Sequence, residues 1–430
     1  MINFRKKLAT LFLAAIASSP CFADVPKDAA WPQFRGPARD NISKETGLLK
    51  EWPEAGPPLA WNIKGIGDSH ASVSVAGGKI FTSGLVDGTV MAFALNESDG
   101  KEVWHAKVGG KGSNQEDQGG NGSRSTPTYD GDMVYVEGPA GDIVALATAD
   151  GKEAWHVNLD KDFGGTLPTW GYSDSPLVDG DNLICMPGGS KGTVLALNKK
   201  TGKEVWRTTD LKDEVHYTSL VPAEIGGVHQ AVILTPKTLA GINLKDGSIL
   251  WQVPRSGAVA VCPSPVVHDN YVYATSGYNV GCDLFKINNE GGKFSVEPVY
   301  THKKNQFMVN HHGGVIYLDG YIYGFSDSKK KEVKEAWVCQ DFMTGEVKWA
   351  GKKSVGKGTI SYADGHFYIR DERKGTIALI EASPTAYKEI SHFTPPDLSH
   401  KPYWPHMVIA NGKLYVRDMD TLLCYDIKAK

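Results

Sequence analysis

Short apolar stretches alternate with polar turns along most of the chain, and this pattern repeats. Five eleven-residue segments align without gaps, and each runs from an apolar stretch through an Asp-Gly or Thr-Gly turn to a closing tryptophan. They are ALNESDGKEVW (94–104), ALATADGKEAW (145–155), ALNKKTGKEVW (196–206), GINLKDGSILW (241–251) and CQDFMTGEVKW (339–349). Glycine adopts a positive φ at little cost, and such a turn between apolar stretches is typical of a β-hairpin. The pattern predicts an all-β chain built from hairpins.

A further strand with its own opening turn is predicted ahead of each repeat. Four short strands in roughly 40–50 residues are the period of a propeller blade. We therefore predict an eight-bladed β-propeller of four-stranded antiparallel blades. Two blades are expected to be degenerate: one spans about residues 261–301, with Tyr300 near the tryptophan position, and the other spans about 359–392. The eight opening turns are Ala76-Gly77, Asp130-Gly131, Asp179-Gly180, Gly226-Gly227, Asp269-Asn270, Asp319-Gly320, Asp364-Gly365 and Asn411-Gly412.

The two ends of the repeat region complement each other. The last repeat stops at CYDIKAK without an outer strand, and residues 59–63 (LAWNI) resemble that strand without its blade. We predict that this N-terminal strand completes the last blade, so that residues 59–430 form one closed ring without an open edge. A seven-bladed ring with a separate hairpin is the alternative.

Six tryptophans occupy the same position of the repeat. Their shared position favours a structural role, in which each ring wedges between neighbouring blades and its indole N–H binds a backbone acceptor. A row of ligand-binding platforms is the alternative. The six are Trp61, Trp104, Trp155, Trp206, Trp251 and Trp349.

The N-terminus has the pattern of a secretory signal peptide. Residues 1–23 combine a basic start, an apolar stretch from Leu8 to Ala17 and a small-residue end at Ala23, which predicts cleavage before Asp24 and a periplasmic or extracellular location. A membrane anchor and a lipoprotein with acylated Cys21 are the alternatives. Residues 24–58 contain Trp31, Phe34 and Trp52, and these aromatic residues predict an extension packed on the propeller.

Charge and composition exclude some partners. Loss of the three basic residues of the signal peptide lowers the formal net charge from −3 to −6, and the remaining charges are interspersed, so nucleic acid is a poor partner. No later segment is apolar enough to form an integral membrane segment in the mature chain. The five remaining cysteines form no CxxC or adjacent pair and allow at most two disulfides.

The repeat A-x-[DN]-x-x-[TD]-G-x-x-x-W resembles the tryptophan-docking repeats of pyrroloquinoline quinone (PQQ) dehydrogenases and of the propeller subunit of the outer-membrane protein assembly machinery. The opening WPQFRGP (31–37), with KEWP (50–53), is similar to exported planctomycete-type PQQ-like repeat proteins, some labelled polyvinyl-alcohol dehydrogenase. The resemblance to the dehydrogenases implies PQQ, calcium held by carboxylates and an amide, a vicinal disulfide and a catalytic aspartate. This chain departs from that pattern because it has no adjacent cysteines.

Polar, titratable and aromatic residues precede most opening turns, where propeller loops reach the mouth of the central channel. If they converge, Asp174 is the candidate catalytic base, Arg124 and Lys357 are anion partners, and Trp170 or Trp404 is a stacking floor. The alternative is that these groups only bind buried backbone and water. His311-His312 is a weak metal signal, so the metal stays unknown. The remaining candidate ligand-binding residues are His70, His216, His312 and His406, and Ser264 and His311 lie in the same loops.

Three functions remain compatible with these observations. The first is an exported scaffold that binds a small anionic or polyhydroxylated ligand, or a protein partner, at a polar site on the channel mouth. The second is a PQQ-dependent oxidoreductase acting on the CH–OH group of an alcohol or sugar, in which Asp174 removes the hydroxyl proton. The third is an outer-membrane assembly-type scaffold. Because a fold does not supply its chemistry, the first function is favoured.

Overall fold

The computed structural model describes residues 29–111, 122–303 and 306–429. The predicted signal peptide and Cys21 therefore lie outside the described residues. The described residues form strands and one short 3-10 helix, Lys331–Val333, and no helix among them is long and apolar enough to cross a membrane. The five cysteines they contain, from Cys185 to Cys424, form no disulfide among the described residues.

Eight antiparallel sheets form the blades: seven contain four consecutive strands, the eighth combines the last three strands with Leu59–Lys64, and one of the seven carries an additional fifth strand. We number the blades from the first complete repeat and give their strands from the innermost outward. Blade 1 contains Ser74–Ala76, Lys79–Val86, Thr89–Asn96 and Glu102–Gly110; blade 2, Thr128–Asp130, Met133–Glu137, Asp142–Ala147 and Glu153–Asn158; blade 3, Leu177–Asp179, Asn182–Cys185, Leu195–Asn198 and Glu204–Arg207; blade 4, Val221–Ile225, Val228–Leu234, Thr238–Asn243 and Ile249–Pro254.

The second half of the ring follows the same order. Blade 5 contains Val266–His268, Tyr271–Ser276, Gly281–Glu290 and Lys293–Tyr300; blade 6, Val315–Leu318, Tyr321–Ser326, Ala336–Asp341 and Val347–Gly351; blade 7, Gly358–Ala363, His366–Asp371, Ile377–Glu381 and Glu389–Phe393; blade 8, Val408–Ala410, Lys413–Asp418, Thr421–Asp426 and Leu59–Lys64. The predicted eight-bladed β-propeller is confirmed, and the seven-bladed alternative is wrong.

The ring is closed by pairing a strand near the start of the repeat region with the last strand of that region. Strand Leu59–Lys64 runs antiparallel to Thr421–Asp426, with Trp61 opposite Cys424 and Lys64 opposite Thr421. Because this N-terminal strand supplies the outer edge of blade 8, the last blade has the same four strands as the others. The predicted closure by the N-terminal strand is confirmed.

In blades 8, 1, 2 and 6 the repeated tryptophan joins its blade to the next. A Cβ atom on Gly151 of blade 2 would lie 2.7 Å from the Trp104 ring of blade 1, and Gly151 has a φ of +73°. The turn therefore needs glycine both for its backbone conformation and for the contact. The indole of Trp104 donates to the Thr148 carbonyl in the same turn at 3.1 Å. Equivalent bonds run from Trp61 to Glu97, from Trp155 to Lys199 and from Trp349 to Ser383.

Three blades vary this connection. The Trp206 ring packs on Gly247 of blade 4, but its indole N–H has no hydrogen-bond partner among the described residues. Trp251 donates to Gln230 Oε1 of its own blade at 2.6 Å. In degenerate blade 5, Tyr300 takes over the bond to the next blade, because its hydroxyl donates to the Phe342 carbonyl at 3.0 Å.

Part of the N-terminal extension lies inside the ring. Strand Ala29–Trp31 pairs with Ser74–Ala76, the innermost strand of blade 1, and therefore lies on its axial side. We call residues 29–43 the channel segment. Further on, the Trp52 ring contacts Tyr368 and Phe393 of blade 7, with ring centroids 5.5 and 5.4 Å apart.

The channel segment binds the backbone of several blades. The fully buried Arg39 guanidinium donates to the carbonyls of Ser175, Pro176 and Leu220, at 2.7–3.0 Å, before blades 3 and 4. Asn41 donates to the Ile360 carbonyl of blade 7. A buried charge is tolerated when its donors are paired in this way.

The docking bond predicts a difference between two tryptophans at the same repeat position. Trp104→Phe removes an indole N–H that is hydrogen-bonded, whereas Trp206→Phe removes one without a described partner. We expect Trp104→Phe to lower the free energy of unfolding by about 1–2 kcal/mol more than Trp206→Phe, measured by urea unfolding. Equal decreases in the free energy of unfolding for the two variants would show that the tryptophans stabilise the ring by packing alone.

Candidate functional site

A cavity of about 440 Å³ opens at the face where the chain enters the innermost strands. Its wall comes from the loops that precede blades 1 to 6 and 8 and from the channel segment. The sequence-predicted convergence of these loops is therefore present in the structure. The lining residues are Phe34, Arg35, His70, Arg124, Trp170, Ser173, Tyr217, Ala260, Cys262, Pro263, Ser264, Tyr278, His311, His312, Gly314, Lys401, Pro402, Trp404 and His406.

The structure brings most of the sequence-predicted site residues together. Three candidates do not line the cavity: Asp174, His216 and Lys357. Those that line it are His70, Arg124, Trp170, Ser264, His311, His312, Trp404 and His406.

Stacked rings form much of the wall. Trp404 lies between His312, at a centroid distance of 4.1 Å and nearly parallel, and His70, at 4.7 Å. Elsewhere on the wall, Trp170 meets Tyr217 edge-on at 5.6 Å. Rings held by neighbouring rings keep their orientation, so the cavity offers preformed flat faces.

The charged side chains on the described wall are all basic. Arg35, Arg124 and Lys401 line the cavity, and none of its described lining residues carries a carboxylate. Burial lowers the pKa of His312 and of His406 to about 3, so both imidazoles are neutral at neutral pH. The wall therefore combines positive charge with neutral hydrogen-bonding rings.

Lys357 acts behind the wall. Its ammonium lies 2.7 Å from Asp327 and 3.5 Å from Glu372, and 3.2 Å from His311 Nδ1. Lys357 contacts the His311 ring from behind. Because Asp327 and Glu372 compensate its charge, Lys357 contributes little net charge to the cavity.

His216 also supports a lining residue. Its ring stacks on Tyr217 at 5.5 Å, and its Nδ1 accepts a hydrogen bond from the Val261 amide at 3.2 Å. The ring thereby links the loop before blade 4 to the loop before blade 5.

Asp174 is fully buried beside Glu137 and away from the cavity wall. Burial raises the pKa of Asp174 to about 6, and burial together with the Asp174 charge raises the pKa of Glu137 well above its ordinary value. Two adjacent buried carboxyls do not both ionise readily, so the pair shares a proton. Asp174 is therefore not among the residues that line the cavity, although its chain neighbour Ser173 is.

Several lining residues were absent from the sequence-predicted set. Tyr217 follows the predicted His216, and Cys262 precedes the predicted Ser264 in the same loop. The sequence therefore identified both loops but did not identify Tyr217 and Cys262 as lining residues. Phe34, Arg35, Tyr278 and Lys401 carried no usable signal, because their segments reach the wall only after the ring has closed.

The cofactor implied by the resemblance fits the cavity only in part. Three basic side chains suit the carboxylates of PQQ, and flat rings suit its fused system. Calcium takes oxygen ligands, yet the described wall offers neither a carboxylate nor a side-chain amide. The described cysteines form no disulfide, so no vicinal disulfide backs the described wall. The residues present do not fit calcium-bound PQQ.

The buried carboxyl pair makes stability depend on pH. A carboxyl whose pKa is raised on folding loses stability as pH rises, here from about pH 4 through pH 6 for Asp174 and higher for Glu137. We expect Glu137→Gln to be about 1–3 kcal/mol more stable than the parent at pH 8 and nearly equal to it at pH 5, by urea unfolding. The exposed Glu54→Gln is the control, and parallel pH curves for parent and Glu137→Gln would contradict the shared proton.

Known proteins resemble this chain in sequence and in fold. It is 24% identical to tetrathionate hydrolase of Acidithiobacillus ferrooxidans over 267 residues, which cover 54% of this chain and 48% of that protein. It is 25% identical to the outer membrane protein assembly factor BamB of Yersinia pestis over 170 residues, or 38% of each. The chain thus spans about half or less of the length of these curated relatives.

A solved structure supports the fold. Quinohemoprotein alcohol dehydrogenase from Comamonas testosteroni superposes with a TM-score of 0.66 at 12% identity, covering 94% of this chain and 81% of that one. At this identity the likeness concerns the fold alone.

The repeat matches a known family. Residues 86–351, more than half of the chain, match the family model PQQ_2, described as "Outer membrane protein assembly factor BamB". The matched span contains every docking tryptophan except Trp61. The chain therefore belongs to this family of PQQ-like β-propeller repeat proteins.

Proposed function

We propose that this protein is an exported ligand-binding propeller whose axial cavity binds a small polyhydroxylated anion, such as an acidic sugar. The observation that carries the proposal is the composition of the described wall: three basic side chains, stacked aromatic rings and no carboxylate. Pockets for small molecules combine apolar faces with a few polar groups that fix orientation, and this wall has that composition.

Each part of the wall has a role in this proposal. The ring cluster of Trp404, His70 and His312 packs against the ring of the ligand. Arg124 donates to the Trp170 carbonyl at 2.9 Å, which orients the guanidinium, and its planar donors suit a carboxylate. The neutral imidazoles of His312 and His406 supply hydrogen bonds to hydroxyl groups.

The relatives support an anionic ligand in one case and protein binding in another. Tetrathionate, in the name of one relative, is an anion, and BamB is named as an assembly factor. The assembly-type scaffold and the PQQ-dependent dehydrogenase remain alternative functions. The anion-binding proposal is preferred because it uses the groups that line the cavity, whereas calcium-bound PQQ needs ligands that the described wall lacks.

Titration calorimetry tests the ligand. The purified protein is titrated with glucuronate, glucose, tetrathionate, and PQQ with and without calcium. We expect glucuronate to bind more tightly than glucose, and Trp404→Ala or Arg124→Gln to weaken binding about tenfold, the equivalent of about 1.4 kcal/mol. Exposed Arg373→Ala is the matched control for Arg124→Gln, and melting temperatures verify folding of each variant.

The alternatives give different results in the same experiment. Failure of every anion to bind would reject the proposed function. Binding of PQQ with calcium, followed by alcohol-dependent dye reduction, would favour the dehydrogenase. Retained binding in both cavity variants would place the ligand elsewhere.

We further propose that the chain is exported after cleavage behind Ala23. The basic, apolar and small-residue pattern of residues 1–23 supports this proposal. We expect the protein recovered from expressing cells to begin at Asp24, as measured by intact-mass spectrometry of the periplasmic fraction. A lipid on Cys21 would favour the lipoprotein alternative, and retention of residues 1–23 would contradict cleavage.

A further inference from the structure

Three metal-ligating residue types meet on one side of the cavity. Cys262 belongs to the loop before blade 5, and His311 and His312 belong to the loop before blade 6. The thiol sulfur and one ring nitrogen from each histidine all lie within 4.8 Å of one another. All three residues line the cavity, so an ion bound there would face its interior.

The ligand atoms are available for coordination. Cys262 is an unpaired thiol. His311 Nε2 is buried and has no hydrogen-bond partner among the described residues, and His312 Nδ1 lies near Glu372, which leaves Nε2 of that ring for an ion. A buried polar atom without a partner destabilises the fold, and coordination would remove that cost where such an atom is the ligand.

Neighbouring groups orient the two rings. His311 Nδ1 lies 3.2 Å from the Lys357 ammonium, so coordination through Nε2 moves the ring proton to Nδ1 and leaves Lys357 paired with Asp327. Glu372 lies 3.7 Å from His312 Nδ1 and 3.5 Å from Lys357, and Asp327 pairs with the same lysine. These two carboxylates offset the lysine charge, which would otherwise repel a cation, and metal-bound histidines are commonly supported by a carboxylate in this way.

The donor set selects the class of metal. One thiol and two imidazoles are soft to borderline ligands, whereas calcium and magnesium prefer oxygen. On tetrahedral zinc, with bonds of about 2.0–2.3 Å, ligand atoms lie roughly 3.3–3.7 Å apart. Side chains within 4.8 Å therefore need to approach by only about 1 Å.

We propose that Cys262, His311 and His312 form a three-ligand site for a thiophilic transition-metal ion, zinc or copper, whose remaining coordination position faces the cavity. On binding, the Cys262 sulfur forms a bond to the ion and its proton passes to solvent. The site does not depend on the anion-binding function, because its ligands are held by the two loops.

Metal loading of the purified protein tests the site. The protein is reduced, stripped with a chelator and loaded with Zn²⁺, with Co²⁺ as a spectroscopic substitute for zinc, or with Cu⁺. We expect about one ion per chain by elemental mass spectrometry, a thiolate-to-cobalt charge-transfer band, and a rise in melting temperature, because an ion that binds only the folded state stabilises it. Competition between the ions distinguishes a zinc site from a copper site.

Variants distinguish this site from adventitious binding. Cys262→Ala and His311→Ala should each lose the charge-transfer band and most of the metal. Cys339→Ala, which removes a buried thiol in blade 6, and His392→Ala, which removes a half-exposed imidazole in blade 7, should retain both. Their circular dichroism spectra verify folding.

Two results would overturn the proposal. One is the absence of stoichiometric zinc, cobalt or copper binding by the parent protein. The other is an unchanged charge-transfer band in folded Cys262→Ala. Glucuronate titration of the metal-free protein separates this test from that of the proposed function, because each site is measured without the other ligand.

Discussion

Pairing of Leu59–Lys64 with Thr421–Asp426 is the constraint on which the rest of the structure depends. It gives blade 8 its outer strand and thereby closes eight separate sheets into one ring. It also fixes the position of the preceding residues. Strand Ala29–Trp31 lies on blade 1 and residue 59 begins the outer strand of blade 8, so the intervening chain crosses the inside of the ring.

The channel segment donates hydrogen bonds to backbone carbonyls near the centre of the ring. The innermost strands and the loops before them expose carbonyls toward the axis, and Arg39 and Asn41 satisfy carbonyls before blades 3 and 4 and in blade 7. The segment also supplies Phe34 and Arg35 to the cavity. Ring closure and cavity shape are therefore linked, because the same stretch of chain serves both.

The cavity illustrates how one repeat scaffold carries different chemistry. The docking tryptophans and turn glycines lie between blades and hold the ring, whereas the cavity residues lie in loops that the docking contacts do not restrict. Asp174, the candidate catalytic base, is buried beside Glu137 and does not line the cavity. The side chains that line the described wall are instead basic and aromatic, and Cys262 and His311 among them are ligands that suit a thiophilic metal ion.

The sequence alone determined the blades and their closure, because hairpin alternation and a repeated turn-to-tryptophan spacing are local patterns that the propeller preserves. It also identified the loops of the site, since these precede recognisable opening turns. Tertiary structure alone decided which side chain of each loop faces inward: Tyr217 and not His216, and Cys262 beside His311 although they are far apart in the chain. It also decided that Asp174 turns away toward Glu137. These choices depend on the packing of loops from different blades, which no local periodicity encodes.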